Sequence, residues 1–274
     1  LTDCLNFGNP YQPDVYYQFR EAIEGIREAC LALVIPVVSG NVSFYNQSPA
    51  GPVYPTPTIG MLGQVDELAA TTGSRFAADG DAIVLLGPSA GGTAGSEYEK
   101  VIHDVVRGDA PALDLGVEAR LQSLVLDLVR SGRVRSAHDC SEGGLAVALA
   151  ESAFAPDGPF GVEIDLDGPD AGAPAARWSP GHDPGSVRAA LFAEAASRVV
   201  VSCEAPAAGE ILRLAHAAGV TARRLGEVGA RHGRFRIGDL VDVAVDDLLE
   251  LWEGAIPRLM ERAMGVPETG SEPR

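Results

Sequence analysis

The sequence predicts an α+β fold arranged as two successive units, and three observations carry that prediction. A strongly helix-periodic stretch near the start is followed by short strand-like runs. A small, polar, glycine-containing stretch then interrupts the pattern around residues 67–80. Beyond it, apolar strands and amphipathic helices follow one another, with several strands adjacent, which points to a mixed sheet rather than a strict doubly wound one. The 274 residues suffice for two domains, at about 150 residues each.

The elements follow in order. Pro13 and Asp14 open a helix, with proline near the first helical position and an acid in the first turn. Val15, Phe19, Ile23, Ile26, Cys30 and Leu33 recur at helical spacing and define one apolar face. Ile35 to Val38 reads as a buried strand ending in a Ser39-Gly40-Asn41 turn, and Thr58 to Val65 as another strand after a proline-rich loop. Residues 67–80 read as a linker, 81–249 as a second domain, and 250–274 as a terminal helix and tail. Within the second domain the expected strands are Asp81–Leu86, Val134–Ala137, Val162–Leu166, Arg198–Cys203, Thr221–Val228 and Phe235–Val245. Helices are expected at Asp114–Arg130, Gly143–Phe154 and Ile211–Ala218. The last helix, Asp246 to Met264, carries Pro257, which should kink it or end its first part. A Gly/Pro/Ala-rich insertion spans Gly168–Gly185, and the residues after Val266 read as a disordered tail.

Composition removes several function classes. Hydrophobic residues make up 46% of the chain, so a sizeable core can form. Lys and Arg number 21 against 38 Asp and Glu, a net charge of −17. That balance repels a phosphate backbone, so nucleic acid is not an expected partner. No apolar run approaches the ~20 residues of a membrane span, and no basic-then-apolar leader is visible, so the expected location is the cytoplasm. The chain begins at Leu1 in mid-pattern and reads as a piece of something longer. Cys4, Cys30, Cys140 and Cys203 are far apart with no metal-ligand spacing, in keeping with a reducing compartment. The sequons at Asn41 and Asn46 read as accidental matches.

Four segments could hold chemistry. In Val38-Ser39-Gly40-Asn41-Val42-Ser43, glycine permits close backbone approach, while Asn and Ser offer oxygen ligands of the kind Mg²⁺ takes beside substrate phosphates; from the pattern alone, a purely structural turn is the favoured reading. In Leu1 to Pro10, Asp3, Asn6 and Asn9 lie among apolar residues, and Asp3 needs a cation, a metal or backbone donors; an Asx cap is the structural alternative. Gly87 to Gly95 follows a strand but lacks the Lys of a P-loop, leaving a backbone phosphate contact or a plain connector. His138-Asp139-Cys140-Ser141-Glu142-Gly143-Gly144 joins a strand to a helix, where the glycine pair would aim N–H groups at an anion, or Asp139 and Glu142 at a metal. A Cys140 nucleophile finds no orienting group, and the other histidines read as surface residues.

Taken together and in this order, Leu1-Thr-Asp-Cys-Leu-Asn-Phe-Gly-Asn-Pro10, Val38-Ser-Gly-Asn-Val-Ser43, Tyr54-Pro-Thr-Pro57 and His138-Asp-Cys-Ser-Glu-Gly-Gly144 resemble the synthetase subunit of phosphoribosylformylglycinamidine synthase, in the aminoimidazole ribonucleotide synthase-like superfamily. The resemblance covers the chain apart from the insertion and tail. It implies that residues 1–66 are the C-terminal part of a second N-type domain and 81–249 a second C-type domain. It also implies an ATP-dependent ligase that converts formylglycinamide ribonucleotide and glutamine-derived ammonia to the amidine, with ADP and phosphate. By that resemblance Asp3 and Gly40 match ATP contacts, Asn41 a Mg²⁺ ligand and Ser43 a substrate contact. Glu142 stands where the family has Asp, which weakens a metal role there.

The implied partners are a glutaminase subunit or domain, a small accessory subunit and the N-terminal half of the same enzyme. The family's catalytic histidines and most acidic ligands lie in that preceding half, so these 274 residues are expected to be inactive alone. A homodimer through open strand edges is also expected. The alternatives are a nucleotide-holding structural half, or a relative such as a thiamine-monophosphate kinase or selenophosphate synthetase.

Overall fold

The structure, a computed structural model, describes residues 1–89, 91–166 and 184–264. These divide into two compact units: Leu1–Ala69 with Asp114–Ala119, and Ala70–Leu113 with Arg120 onward.

The first unit is built on β1 (Thr2–Asn6), α1 (Pro13–Leu33), β2 (Ser39–Ser43), a two-stranded ribbon of β3 (Gln47–Ser48) and β4 (Gly51–Pro52), and β5 (Thr56–Gly60). Strand β1 is central, parallel to β2 and antiparallel to β5. The parallel pair requires a crossover, which α1 supplies. Pro13 in the first turn and Asp14 favour the helix start, and Val34 ends it in the left-handed region at φ 56°, its N–H reaching the Cys30 carbonyl. Leu5, Phe7 and Val15 are buried, with Phe19, Ala22, Ile26 and Phe44 packed against them. Phe19 stands edge-on to Phe7 at 5.4 Å and to Phe44 at 5.0 Å. The helix therefore buries a narrower stripe than its sequence predicts, and Ile23 stays exposed.

The expected strand at Ile35–Val38 is displaced. Those residues form no named strand, and the expected turn at Ser39-Gly40-Asn41 is itself strand β2. Pro36 has no N–H for a ladder, and this stretch is held by isolated bonds instead: Ile35 N to Cys30 O at 2.9 Å, Leu1 N to Pro36 O at 2.8 Å and Val38 N to Leu1 O at 2.9 Å. Pro57 lies on β5, paired with Leu5, at a sheet edge where proline is tolerated.

The second unit contains a seven-stranded sheet in the order β12-β11-β8-β10-β6-β9-β7. In chain order its elements are β6 (Ala82–Leu86), α2 (Glu97–His103), α3 (Leu115–Arg130), β7 (Ser136–Asp139), α4 (Gly144–Ala153), β8 (Phe160–Ile164) and α5 (Pro184–Phe192). Then follow β9 (Val199–Cys203), α6 (Ala208–Ala217), β10 (Ala222–Arg231), β11 (Arg234–Ile237), β12 (Val241–Ala244) and α7 (Val245–Ala263). Every pairing is antiparallel except β8 with β11, so the sheet is mixed and the class is α+β.

Alternation along buried β6 feeds two cores. Ala82, Val84 and Leu86 meet Leu121, Leu124 and Leu128 of α3 and Ile211 of α6. Ile83 and Leu85 join Leu145 and Leu149 of α4 and Val245 of α7 on the other face. Asp114 starts α3 by accepting the N–H groups of Gly116 and Val117 at 2.8 and 3.0 Å.

Three further expectations change. Phe235–Val245 is not one strand but the hairpin β11–β12, turning at Gly238 with φ 47°. Helix α7 continues through Pro257 instead of ending there. One lost backbone bond is tolerable on this exposed helix, where water can hydrate the freed carbonyl. Helices α2 and α5 appear where the sequence showed only loop and insertion. The expectations for 168–183, His182 and the tail lie outside the described residues. No helix among the described residues is long and apolar enough to cross a membrane.

Candidate functional site

Strand pairing decides how the four expected site residues are presented. Register places Asp3 opposite Gly40, Cys4 opposite Asn41, and Asn6 opposite Ser43. Side chains alternate between faces, so Asp3 and Gly40 share the face of buried Leu5, while Asn41 and Ser43 lie on the other. The expected site is therefore two half-sites on opposite faces of one three-stranded sheet.

On the first face, the Asp3 side chain lies directly over the Gly40 Cα. A Cβ at residue 40 would fall 2.7 Å from Asp3 Cγ and 2.9 Å from the Asp3 carbonyl oxygen, and nearer still to Oδ1. Gly40 does not occupy the left-handed region. Glycine is required here for space and not for conformation. Among the described residues no hydrogen bond or ion pair engages the Asp3 carboxylate, leaving it available to a ligand.

The second face is polar and uncharged. Ser39 Oγ donates to Thr2 Oγ1 at 2.8 Å, and the Cys4 thiol to Asn41 Oδ1 at 3.4 Å. Asn46 Nδ2 donates to the Ser43 carbonyl at 3.1 Å and to Asn6 Oδ1 at 3.4 Å. Thr58 and Thr56 of β5 continue the row beyond Cys4 and Asn6. Tested against Mg²⁺, this donor set supplies only neutral oxygens: the amide oxygen of Asn41, that of Asn6, which already accepts from Asn46, and hydroxyls. Mg²⁺ sites ordinarily add one or two carboxylates and substrate phosphates, and no group of three His, Cys, Asp or Glu forms a metal cluster among the described residues. Asn41 fits as one ligand of a shared site and does not make a cage alone.

The second unit gathers the other two segments into a junction. Glu194 Oε1 accepts the N–H of Gly143, which caps α4, and the N–H of Glu97 at the start of α2, both at 2.8 Å. The anion expected at the Gly143-Gly144 turn is thus the protein's own carboxylate. Gly144 N donates to Ser141 O. A Cβ on Gly144 would lie 2.7 Å from the Ala193 carbonyl, and Gly144 also needs φ 68°. Two residues before Glu194 in this fixed segment, α5 ends. Buried Arg198 donates to Ala193 O at 2.9 Å and Ala190 O at 3.0 Å, holding the turn that carries Glu194. The glycine loop joins the same knot: a Cβ on Gly91 would meet the Ala195 Cβ at 2.8 Å, and Ser96 caps α2 by accepting from Glu99 N. Neither Glu194 nor Arg198 sits in a recognisable motif, so sequence reading missed both.

Around His138 the chemistry is structural. His138 Nε2 faces Glu151 Oε2 at 3.2 Å, and Trp252 Nε1 donates to Glu151 Oε1 at 3.3 Å. Ser141 donates to Asp139, and Glu142 is exposed. Burial pushes the Cys140 thiol up to about 11, only partly offset by nearby Arg198, and burial likewise raises Cys203 to about 11. A thiol held protonated is no nucleophile at neutral pH.

Both thiols titrate above their ordinary value of 9.0 in the folded chain. Their stabilising contribution is complete below pH 9 and is lost as pH rises toward 11, because the unfolded chain ionises first. Thermal melts should fall over that window, and a Cys140→Ala, Cys203→Ala double variant should flatten the fall. At pH 8, alkylation should reach the half-exposed Cys4 and Cys30 well before the buried pair.

A parallel strand pair bridged by a helix, with an open carboxylate seated on glycine, followed by a mixed sheet between two helical layers, defines a two-unit α+β architecture. Residues 1–65 match the family model of the AIR synthase related protein N-terminal domain, and residues 78–238 that of the C-terminal domain. The chain belongs to the AIR synthase related protein family. It is 39% identical to "Phosphoribosylformylglycinamidine synthase subunit PurL" of Moorella thermoacetica over 96% of its length and 34% of that relative's. The chain thus spans about a third of the length of the curated relatives it matches. Solved structures of T. maritima PurL share the fold. The complex with FGAR matches at TM-score 0.64 and 20% identity over 90% of this chain and 39% of that one. The complex with ATP matches at TM-score 0.61 and 18% identity over 89% and 37%.

Proposed function

We propose that the chain is the part of a phosphoribosylformylglycinamidine synthase that carries one strand-built half of an ATP, Mg²⁺ and formylglycinamide ribonucleotide site. The Asp3 carboxylate resting on Gly40, one residue from Asn41 and three from Ser43, carries this reading. The PurL complexes with ATP and FGAR support the ligand classes. In the overall reaction ATP phosphorylates the amide oxygen, turning it into a leaving group, and ammonia from a glutaminase subunit or domain attacks the carbon.

Mg²⁺, when bound, neutralises phosphate charge in such a transfer. The chain's own residues do simpler work. Asn41 Oδ1 offers a neutral oxygen to the cation. Asp3 presents charge on the opposite face, where it can accept hydrogen bonds from a nucleotide's hydroxyl or amino groups or hold a second cation. Ser43 offers a hydroxyl to the substrate. No arginine or lysine lies on β1, β2 or β5, so phosphate charge must be met by metal or by residues elsewhere. We therefore propose that these residues alone are inactive and complete their site with the N-terminal half of the enzyme.

Calorimetric titration of Mg·ADP into the chain tests this. Saturable binding should weaken tenfold or more in Asn41→Ala, and in Asp3→Asn if that face holds the nucleotide. Binding indifferent to both substitutions would overturn the placement. A folded chain that binds nothing until the N-terminal half is added would favour a shared site, and one that never binds in that company would sink the reading.

A further inference from the structure

We propose that Cys4 is a positioning residue that fixes the amide of Asn41 with its oxygen end toward the thiol. The inference rests on the nucleotide reading above for its purpose, although its geometry stands apart from it. On the polar face of the first unit, hydrogen bonds run in one direction. Asn46 Nδ2 donates to Asn6 Oδ1 at 3.4 Å, Asn6 Nδ2 to Cys4 Sγ at 3.5 Å, and the Cys4 thiol to Asn41 Oδ1 at 3.4 Å.

The start of this relay is pinned by the backbone. Tyr45 adopts φ 62°, a conformation costly for a residue with a Cβ. That turn brings Asn46 back, so that its N–H reaches the Phe7 carbonyl at 3.1 Å and its side chain reaches Ser43 O at 3.1 Å. The strained residue is thus held in place by bonds on both sides of it, including Tyr45 N to Gly8 O at 2.9 Å.

The consequence is a matter of polarity. An asparagine amide has two ends of nearly equal shape, one accepting and one donating. Only the oxygen end suits a hard cation, and the NH₂ end repels it. Because Asn6 donates into the sulfur, the thiol proton is directed away from Asn6 and onto Asn41. A carbonyl oxygen has two lone pairs, so Oδ1 can receive the thiol and still face a ligand. No charged side chain on this sheet face competes for the amide. Cys4 thereby sets which atom of Asn41 is available, without touching a ligand itself.

Three substitutions and two readouts test the inference. Cys4→Ser retains a donor, and Cys4→Val removes it at similar volume; Asn6→Leu breaks the relay one bond upstream. The first readout is the side-chain amide resonance of Asn41 by NMR, in the chain without any nucleotide. Cys4→Val should shift and broaden it, Asn6→Leu should shift it less, and Cys4→Ser should leave it near its native position. The second readout is the affinity for Mg·ADP against that for Mn·ADP. Cys4→Val should weaken both at least fivefold, with Cys4→Ser restoring most of the loss.

An Asn41 amide unchanged in folded Cys4→Val would overturn the inference, whatever the nucleotide does. A shifted amide with equal Mg·ADP affinity in wild type and Cys4→Val would overturn the purpose assigned to it. A shifted amide in a protein that binds no nucleotide even with its missing half would instead sink the nucleotide reading and leave the orientation of Asn41 standing.

Discussion

Replacing Gly40 with alanine should both destabilise the first unit and abolish the proposed ligand site. The added Cβ would lie 2.7 Å from Asp3 Cγ and 2.9 Å from the Asp3 backbone carbonyl. A side chain can swing aside from such a contact, but a backbone carbonyl in the centre of a sheet cannot without parting β1 from β2. Overpacking of this kind costs about 1–3 kcal/mol, and the unit has only a small core around Leu5, Phe7 and Val15 with which to absorb it. A melting experiment should show an early transition, and Mg·ADP binding should vanish.

Two comparisons separate the causes. Gly25→Ala, in the middle of α1 with open space around its Cα, should stabilise slightly, as alanine does in helices. Adding Asp3→Gly to Gly40→Ala should recover part of the stability, because the carboxylate contact is removed and the carbonyl contact remains, and none of the binding. A Gly40→Ala protein as stable as the parent would show that β1 and β2 are less tightly apposed than described.

Asp3 and Gly40 illustrate what the sequence could and could not disclose. The resemblance of two separated segments proposes them for one site, but their contact was not legible, because register between β1 and β2 is a tertiary property. Pattern reading went astray at the same place for a physical reason. Ile35–Val38 is the more apolar run and was expected to be the strand, with Ser39-Gly40-Asn41 as a turn. The structure reverses this, since Pro36 weakens the first stretch and β1 accepts the second. Apolarity marks buried strands, and a polar, largely exposed strand such as β2 lacks that mark.

In the second unit, β6 was read to within a residue because both of its faces are buried, and α3 likewise because its Leu121, Leu124 and Leu128 recur at helical spacing. Helix α2 was missed because no residue of it is buried, so it has no apolar stripe to betray it. Helix α5 was missed because it lies at the edge of a Gly/Pro/Ala-rich insertion. Of the paired glycines expected to aim N–H groups at an anion, Gly143 meets the Glu194 carboxylate and Gly144 the Ser141 carbonyl, and Glu194, 51 residues beyond Gly143, has no signature in sequence.

Glu194 is therefore the second position where a single change should have a large effect. One oxygen receives both the Gly143 and the Glu97 N–H groups. Glu194→Ala would leave both donors to water at a half-buried position, a loss of about 3–6 kcal/mol if each is worth what a hydrogen bond to a charged group usually is. Glu194→Gln keeps the accepting oxygen but loses its charge at two positive helix ends, so it should cost roughly half as much.

The effect should also be localised. Hydrogen exchange should quicken at 93–99 and at 141–146 together in Glu194→Ala, while the buried strand Ala82–Leu86 keeps its protection. Arg198→Met would approach the same outcome from behind, by releasing the Ala190 and Ala193 carbonyls that hold the turn before Glu194. Exchange that rises in one loop and not the other would mean that each helix start is held by something besides this carboxylate. Rising together, the two would show that the glycine-rich loop and the His138–Gly144 segment, far apart in sequence and unlike in composition, are one mechanical element because a single side chain satisfies both.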